Sequence, residues 1–499
     1  MKILKNKKSI LGLISIFLFA LIFFLSYKPI PLGKALKQET FSRLKDIREE
    51  RKKRILDYFS LAQEKAKSIK NDIIMKNFFE SQYNNKVAQK ERDLIEIDRN
   101  FVKNYNLFYD ILFIDQEGFV FHTIKRESDY HKNIFELTNT KWANALLKKE
   151  ELFFTDYEYY DPSEEPAAFF IVPVKKDGQF IGWFVLQAAI NQINKIAQNY
   201  EDLGRTGEVY LVNSNEEMLT DSRFFEESTI LKMKIETTAV KDAFNFGSGE
   251  KIITDYRGIN VFSSYEKFEI YGAVWAIVAE IDEDEILSDF YLKHKSYFIA
   301  KISEYMSKKD YRTDKNINLT AKLKKVDLNE YIKAKPGDVL YTLGVSTCTS
   351  IVVSFPEKFG YLAHITPVDS IYVSNFLSNL FLGDKKTNMF SRLLTRIKYH
   401  NIHPYEQKDL KFYIIATHNE SFEKAVDKII SYGSEISSIH FLYKPNYESV
   451  NIFYDISENY IMVKWNTDIQ NSKTEDASLS LNLALVIKEI IGYENDNAI

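Results

Sequence analysis

The single cysteine of the chain is followed closely by a histidine that could activate it. Cys348 ends a turn of small residues before the apolar run Ile351–Val353, and His364 lies in the next apolar run, Tyr361–Ile365. Imidazole can take a proton from a thiol, and the resulting ion pair lowers a free thiol pKa of about 8.5 by one to several units. A hydroxyl or amide that orients the imidazole would complete such a triad. A buried cysteine beside an unrelated histidine is the simpler interpretation of the spacing alone.

Composition limits the other classes of function. The 499 residues suffice for about three globular units of roughly 150 residues. Hydrophobic residues at 45% and charged residues at 27% are typical of globular proteins and argue against disorder or a multi-span membrane protein. A net charge of -4 supplies no polycationic surface for nucleic acid. One cysteine excludes an intramolecular disulfide framework and a thiolate-rich zinc site, and we expect neither a metal nor a cofactor.

The amino terminus predicts where the chain resides. Ser9–Tyr27 carries no charge, and at about 1.5 Å per residue it nearly matches a hydrocarbon core about 30 Å thick. Lysines precede this segment, so the positive-inside rule predicts a cytoplasmic stub, with everything after residue 30 on the far side of the membrane. A cleaved signal peptide is the alternative, although no small-x-small cleavage site follows. We therefore expect residues 1–30 to anchor a single-pass protein of the inner (cell) membrane, its bulk extracytoplasmic.

Periodicity predicts an α+β chain built on one long helix. Apolar residues recur every three or four positions over about residues 36–82, apart from one turn at Arg51, and the charge run Arg48–Arg54 is expected to form a solvated, salt-bridged face. From Phe108 onward, short apolar and aromatic runs broken by turn residues predict antiparallel strands in two similar PAS-like modules. The predicted strands are 111–114, 119–123, 169–174, 180–187, 208–212, 250–255, 261–265 and 274–281.

A series of separated motifs in these modules resembles a known sensor family. They include Asp156-Tyr157, Tyr160-Asp161-Pro162-Ser163, Leu203-Gly204-Arg205-Thr206-Gly207, Asp255-Tyr256-Arg257-Gly258 and Trp275–Asp282. In this order they resemble the double Cache domains of bacterial chemoreceptors and sensor kinases, over residues 36–300. The resemblance implies a membrane-distal module at about 105–200, a proximal module at about 205–290, and a small ligand in the distal one.

The distal module contains residues that could bind an amine or another small polar molecule. Aromatic rings and a carboxylate can hold such a ligand by cation–π contacts and hydrogen bonds. The alternative is that these residues form the hairpin core and turns. The candidates are Arg126, Tyr130, Trp142, Asp156, Tyr157 and Tyr160.

A second unit follows a polar segment, 301–325, that predicts a linker. The order Thr342-Leu343-Gly344, Thr347-Cys348, Gly360 and Ala363-His364 resembles the CheD family of chemoreceptor glutamine deamidases, over residues 326–470. The resemblance implies that Cys348 is the nucleophile, that His364 is the general base and that Thr342 steadies the histidine. It also implies helices near 388–399 and 423–432.

Two loops depart from the CheD pattern. The glycine-rich substrate loop is replaced by Ala416-Thr417-His418-Asn419, and a second glycine-rich turn by Lys444-Pro445-Asn446-Tyr447. Retained catalytic residues with altered loops indicate a different substrate or a domain that kept its fold and lost its activity. His418, His400 and His403 are lesser candidates for the site. The anchor also places Cys348 outside the cytoplasm, where the usual deamidase targets lie.

The leading hypothesis is a membrane-anchored extracytoplasmic sensor whose CheD-like Cys-His domain deamidates protein glutamines under ligand control. The alternative is a non-enzymatic signal-transduction receptor whose CheD-like domain docks a protein. Expected partners are therefore a small polar or amine ligand, a protein substrate or docking partner, and the membrane through residues 9–27, with a homodimer through the long helix also compatible. The tail 471–499 predicts an amphipathic helix opened by Ser478 or Asp476 and closed by Gly492.

Overall fold

The computed structural model covers most of the chain after its amino-terminal segment. It describes residues 31–83, 90–137, 142–143, 146, 151–306, 308–309, 312–313, 322–356, 358–366, 389–398, 400, 402, 409–445, 447–467, 471–477 and 480–493. The predicted anchor, Ser9–Tyr27, lies outside these residues. Within them, no helix combines the length and the apolar character needed to cross a bilayer.

The described residues form two compact units. One is Thr40–Ile286, and the other combines residues 31–39 with Leu287–Ile499. The division falls before the predicted sensor boundary at residue 300, because helix Lys295–Met306 packs within the carboxy-terminal unit. There, Lys295 Nζ pairs with Asp427 Oδ2 at 2.7 Å.

The amino-terminal helix is broken where a continuous one was predicted. Helix α1 spans Leu32–Ile69 and helix α2 spans Ile73–Tyr83. Asp72 separates them because its Oδ1 accepts the backbone N–H groups of Ile74 at 3.0 Å and Met75 at 3.2 Å. A side chain that satisfies the free amides of a first turn favours a new helix start at that point.

The charge run on α1 is partly buried, and the prediction of a fully solvated face was wrong. Arg48 and Arg51 are 2% and 6% exposed, and they continue the apolar stripe of α1 through its interrupted turn. Arg48 Nη1 donates to Ser264 Oγ at 3.0 Å and to the Tyr265 carbonyl at 2.9 Å, and Arg51 Nη2 donates to the Asn199 carbonyl at 3.0 Å.

The first module follows helix α3 (Lys90–Asn100) and the π-helical turn Phe101–Tyr105. Its sheet has the order β2-β1-β6-β5-β3, with β4 also paired to β5. The predicted strands are confirmed, and side chains of alternate positions on one face form the core with Trp142 and Tyr160. The bounds are β1 Phe108–Asp115, β2 Val120–Thr123, β3 Phe153–Phe154, β4 Glu158–Tyr160, β5 Glu165–Lys176 and β6 Gln179–Ala188, with a 3-10 turn at Asp161–Ser163.

The second module repeats the arrangement with a four-stranded antiparallel sheet of order β7-β10-β9-β8. Its four predicted strands are confirmed with extended ends. The bounds are α4 Ile190–Ala197, β7 Glu208–Asn213, α5 Thr238–Phe246, β8 Ser248–Thr254, β9 Asn260–Ile270, β10 Ala273–Asp282 and α6 Glu283–Lys293.

The carboxy-terminal unit contains two further sheets. Their orders are β11-β13-β18-β19-β20 and β12-β15-β14-β16-β17-β21. The bounds are α7 Lys295–Met306, β11 Lys322–Lys325, β12 Glu330–Ala334, β13 Asp338–Val345, β14 Thr349–Phe355, β15 Phe359–Ile365, α8 Met389–Lys398, β16 Lys411–Ala416, α9 Asn419–Ser431, a 3-10 turn at Ile436–Ser438, β17 Ile439–Tyr443, β18 Ser449–Asp455, β19 Tyr460–Thr467, β20 Asn471–Asp476, β21 Leu481–Asn482 and α10 Leu483–Ile490.

Regular structure extends into both segments predicted to flank this unit. Helix α7 and strand β11 occupy the ends of the segment 301–325, and β20 brings the start of the tail into a sheet. The tail helix starts later than predicted, because Asn482 caps it by accepting the Leu485 N–H at 3.2 Å. Gly492 ends the helix as predicted, with a φ of 65° that favours glycine.

Candidate functional site

The three residues of the predicted triad lie at one end of paired strands in the carboxy-terminal unit. Thr342 on β13 and His364 on β15 come from different sheets, and Thr342 Oγ1 lies 2.8 Å from His364 Nδ1. Both side chains are buried, as is Cys348, which is 9% exposed. The other ring nitrogen of the histidine, Nε2, is buried and has no hydrogen-bond partner among the described residues.

Cys348 lies in the turn immediately before β14, the strand that pairs with the strand of His364. In the antiparallel pair β14–β15, Thr349 lies opposite Ile365 and Ser350 opposite His364. Cys348 therefore adjoins the end of the strand pair at which His364 lies. A bulge positions the third member, since the pairing of β13 with β18 shifts between Thr342 and Val345, and Gly344 there has a φ of 68°.

The charge state of the pair differs from the sequence-based expectation. Burial raises the pKa of Cys348, although a hydrogen bond with Thr347 opposes the shift. Burial also lowers the pKa of His364 against the opposing charge of Asp327. Both shifts favour the neutral forms of the thiol and the imidazole, which is the opposite direction to the lowered thiol pKa expected of an activated pair.

Residues that the sequence did not single out hold the turn before Cys348. The hydroxyl of Thr417 donates to the carbonyl of Ser346, and Ser421 Oγ donates to the carbonyl of Thr347 at 2.5 Å. His418 reaches the same group, with Nδ1 3.4 Å from Ser421 Oγ. The segment that departs from the CheD pattern therefore pins the cysteine turn. Thr417 and Ser421 are hydroxyl residues around the start of helix α9, and this pattern was the sequence signal that could have identified them.

The second altered turn is tied down by a buried ion pair. Lys444 Nζ lies 2.5 Å from Glu475 Oε1, and Trp465 Nε1 donates to Glu475 Oε2 at 2.9 Å. Although burial alone would raise it, the pKa of Glu475 is lowered by Lys444 and Lys473. Of the other histidines, His400 Nε2 lies 2.9 Å from Tyr361 OH, whereas His403 lies outside the described residues.

The six ligand candidates of the first module are not brought together. Trp142 and Tyr160 lie in the core, with ring centroids 5.8 Å apart. Arg126 is exposed, and the ring of Tyr130 is tilted against that of His131, with the ring centroids 3.8 Å apart. These four are structural or peripheral in position.

Asp156 and Tyr157 lie beside Trp275 of the second module. Asp156 Oδ1 accepts the Trp275 Nε1–H at 2.8 Å, and the Tyr157 and Trp275 rings are 6.0 Å apart. Burial raises the pKa of both Asp156 and Tyr157. The Tyr157 hydroxyl is buried and has no hydrogen-bond partner in the described part of the chain.

The first module also buries polar side chains that the sequence interpretation missed. Asp110, Asp129 and Gln187 are each at most 1% exposed. Asp129 Oδ2 accepts the hydroxyl hydrogen of Tyr160 at 2.7 Å. The sequence signal for such buried polar residues was a charged or amide residue inside an apolar run, such as Asp110 within Phe108–Ile114. Across the described ranges, no group of three or more His, Cys, Asp or Glu side chains is arranged to hold a metal ion.

One long helix carrying two successive α/β modules, each with an antiparallel sheet, defines a two-module sensor domain. A family model described as Cache domain (dCache_1) matches residues 34–290, slightly more than half of the chain. This chain therefore belongs to the Cache domain family, whose members are extracytoplasmic ligand-sensing domains of chemoreceptors and other sensors. Among curated proteins, none matches the sequence.

Several solved structures resemble part of the chain. The ligand-binding domain of the Pseudomonas aeruginosa amino acid chemoreceptor PctC in complex with GABA is 15% identical, with a TM-score of 0.34, over 49% of this chain and 100% of that one. The sensory domain of the Campylobacter jejuni chemoreceptor Tlp3 (CcmL) is 12% identical, with a TM-score of 0.38, over 51% and 98%. An extracellular ligand binding receptor from Desulfohalobium retbaense is 12% identical, with a TM-score of 0.35, over 48% of this chain and only 40% of that receptor.

Proposed function

We propose that this chain is a membrane-anchored extracytoplasmic sensor of a small polar or amine molecule, fused to a CheD-like domain that deamidates glutamine side chains on a protein. Family membership supports the sensing half. Single-pass attachment to the inner membrane and a homodimer through α1 belong to the same proposal. The proposed organisation is an anchor at 1–30, a sensor at 36–300, a linker at 301–325, a CheD-like domain at 326–470 and a tail at 471–499.

The contact between Thr342 and His364 is the observation that supports the deamidase half. A hydroxyl that occupies Nδ1 fixes the orientation of the ring and leaves Nε2 as the reactive nitrogen. That nitrogen is buried without a partner among the described residues, and Cys348 directly precedes the strand paired with that of His364. These features support the proposal that His364 is the general base for Cys348.

The proposed chemistry starts from the neutral pair. Cys348 Sγ attacks the carbon of a glutamine carboxamide as His364 Nε2 takes the thiol proton, and the same proton passes to the departing nitrogen to release ammonia. A thioester remains on Cys348. His364 then removes a proton from water, which attacks the thioester, and glutamate and the free thiol are released as His364 returns that proton to sulfur.

The alternative function is a non-enzymatic docking module. The raised pKa of Cys348 and the lowered pKa of His364 favour it, because neither group is charged at rest. The hydroxyl contacts of Thr417 and Ser421 also fix the cysteine turn, which a substrate loop would need to approach. The two functions differ in whether His364 controls the reactivity of Cys348.

Alkylation of Cys348 by iodoacetamide, an amide electrophile, separates these functions. Cys348 is the sole cysteine, so the labelling rate of the full chain reports on it alone. If His364 acts as the base, His364→Ala should slow labelling about tenfold near neutral pH, and Thr342→Ala, which only orients the ring, should slow it less. Mass spectrometry of the intact protein over time gives the rates.

His400→Ala is the matched control for this experiment. His400 contacts Tyr361, which lies three positions before His364 on β15. Because side chains alternate along a strand, Tyr361 points to the face of the sheet opposite to His364. Its removal should leave the labelling rate unchanged. Equal rates in the wild type and in His364→Ala would exclude the coupled pair and favour the docking module.

A further inference from the structure

Two neighbouring strands of the first module bring an acid and an amide together. Asp110 on β1 lies directly opposite Gln187 on β6. The next pairs on the same face, Leu112 with Val185 and Ile114 with Trp183, belong to the buried core. Because side chains alternate along strands, Asp110 and Gln187 point to that core face.

Both of these side chains have a buried oxygen without a hydrogen-bond partner in the described part of the chain. Asp110 Oδ1 accepts the backbone N–H groups of Ile111, Ile124 and Lys125, at 2.7, 2.8 and 3.1 Å. Asp110 Oδ2 and Gln187 Oε1 have no hydrogen-bond partner among the described residues. Gln187 Nε2 makes one long contact, 3.4 Å, with Ser163 Oγ. Asp110 Oδ1 thus binds backbone N–H groups, and Oδ2 is available to accept hydrogen bonds from another group.

Asp129 adds a second carboxylate to the same group. Its Oδ2 is bound by the Tyr160 hydroxyl, and its Oδ1 is buried without a partner in the described part of the chain. Burial raises the pKa of Asp110 to about 7, and the charge of Asp129 adds to this shift against the opposing backbone N–H groups. Burial likewise raises the pKa of Asp129. Both shifts have the direction expected for carboxylates without a cation.

No lysine or arginine in the described part of the chain forms an ion pair with Asp110 or Asp129. The charge of Lys132 lowers the pKa of Asp129, but burial outweighs it and the net shift is upward. Lys125 Nζ lies over the ring of Tyr109, 4.9 Å from its centroid, and Arg126 is exposed. An unpaired carboxylate that is buried this deeply is strongly destabilising unless another group compensates it.

We propose that Asp110, Asp129 and Gln187 bind a small organic cation that carries no carboxylate, such as a diamine. Ammonium N–H groups would donate to the three unsatisfied oxygens and neutralise both acids. An amino acid would instead bring its own carboxylate to a site with two acids and, among the described residues, no lysine or arginine in contact with them, which disfavours it. This inference rests on the proposed sensing function and narrows its ligand class.

The test compares ligands of equal length on the full chain, purified in a mild detergent. Putrescine carries an ammonium group at each end, whereas γ-aminobutyrate replaces one of them with a carboxylate. Putrescine should raise the midpoint of thermal unfolding and bind measurably by calorimetry, because a ligand that binds only the native state stabilises it. γ-Aminobutyrate should do neither at the same concentration.

Two variants place the ligand at these residues. Asp110→Asn and Asp129→Asn should each weaken putrescine binding about tenfold or more, since each removes a charge-assisted hydrogen bond. Both variants should fold, because an asparagine oxygen can still accept the backbone and tyrosine hydrogen bonds described here. The unliganded melting midpoint checks this. Asp177→Asn, in an exposed hairpin turn where φ is 50° and asparagine is tolerated, is the matched control.

The outcomes distinguish this inference from the sensing function. No shift with putrescine, or equal binding by wild type and both variants, would overturn the inference. Stabilisation by γ-aminobutyrate or a neutral metabolite that is lost in Asp110→Asn would overturn the ligand class and leave sensing intact. The sensing function itself would fail only if no compound in a broad metabolite collection stabilised the chain.

Discussion

The two modules of the sensor unit both bury carboxylates, but they differ in what faces those groups. In the first module, Asp110 and Asp129 each keep one oxygen without a partner among the described residues. In the second module, Asp255 and Asp282 share Arg257, whose Nε and Nη2 lie 2.6 and 2.5 Å from their oxygens. The same kind of side chain is left open in one module and neutralised in the other.

Hydroxyl and backbone N–H groups donate hydrogen bonds to other buried carboxylates of the second module. Glu208 accepts hydrogen bonds from Tyr256 and from Ser222, and Glu285 accepts the N–H groups of Arg205 and Thr206 at 2.8 and 2.7 Å. Glu280 differs, because one of its oxygens has no hydrogen-bond partner within the described ranges. Burial raises its pKa to about 8, so it is protonated at neutral pH and carries no charge that needs a partner.

This difference in how buried acids are paired indicates that two similar modules can have different roles. Acids that are paired within the fold stabilise it and have no capacity left for a ligand, whereas unpaired acids destabilise the unliganded state and favour whatever neutralises them. This contrast supports the inference that the ligand binds the first module, with the second as its structural support. Three changes test this contrast.

The largest effect should come from removing the cation of the second module. Arg257→Gln leaves Asp255 and Asp282 buried without their partner, and we expect the free energy of unfolding to fall by about 3–5 kcal/mol. Denaturant titration of the full chain measures it. Arg205→Gln is the control, because Arg205 is 52% exposed and lies 3.7 Å from Glu285, and a surface pair contributes at most about 1 kcal/mol. Equal losses in the two variants would contradict the contrast.

A smaller effect should appear as a dependence of stability on pH. The pKa of Glu280 is raised by burial from 4.5 to about 8, and that of Asp110 from 3.8 to about 7, so the native state holds protons that the unfolded chain has released. The stabilisation is complete below the unfolded pKa values and is lost as pH rises through the native ones. Between pH 6.5 and 8.5 the free energy of unfolding should fall by about 2–3 kcal/mol.

Glu280→Gln should remove most of that slope, because glutamine cannot ionise. Glu269→Gln, at an exposed position on β9, provides the matched control. Burial lowers the pKa of His122 and His440 from 6.5 to about 4, so these histidines make stability rise with pH up to about 7 and offset the fall by about 1 kcal/mol at the start of this pH window. A flat profile in the wild type would show that Glu280 and Asp110 do not retain their protons.

The sequence predicted local structure better than it predicted these electrostatic contacts. Strands such as β10 and β15 were recognised because an apolar run between turn residues carries its own signal. Thr342 and His364 were singled out together by the resemblance to the CheD family, because spacing alone favoured an unrelated cysteine and histidine. The contact between Thr342 and His364 is now observed at 2.8 Å.

Long-range partners explain what was missed. Arg48 belongs to an exposed charge run by pattern, and it is buried only because Ser264 and Tyr265, more than two hundred positions away, accept its hydrogen bonds. Asp110 is a polar interruption in an apolar strand, and its burial depends on Gln187 of β6 and on the loop that carries Asp129. Periodicity contains no information about such partners, so the acids of the first module were passed over in favour of nearby aromatic residues.

The smallest effect comes from deleting one hydroxyl in each module. Tyr160 OH donates to Asp129 at 2.7 Å, and Tyr210 OH donates to Glu280 at 3.1 Å, so Tyr→Phe removes a matched hydrogen bond from each buried acid. Tyr160→Phe leaves Asp129 with neither of its oxygens satisfied by a side chain and should cost about 1–3 kcal/mol at pH 7, whereas Tyr210→Phe removes a bond to a protonated acid and should cost about 0.5–1.5 kcal/mol. Denaturation at pH 7 measures the difference, which should shrink as the pH is lowered, because burial raises the pKa of Asp129 and so favours its protonated form. Saturation with putrescine should also shrink it if the ligand neutralises Asp129. A larger cost for Tyr210→Phe at pH 7 would mean that the second module, and not the first, contains the strained acid.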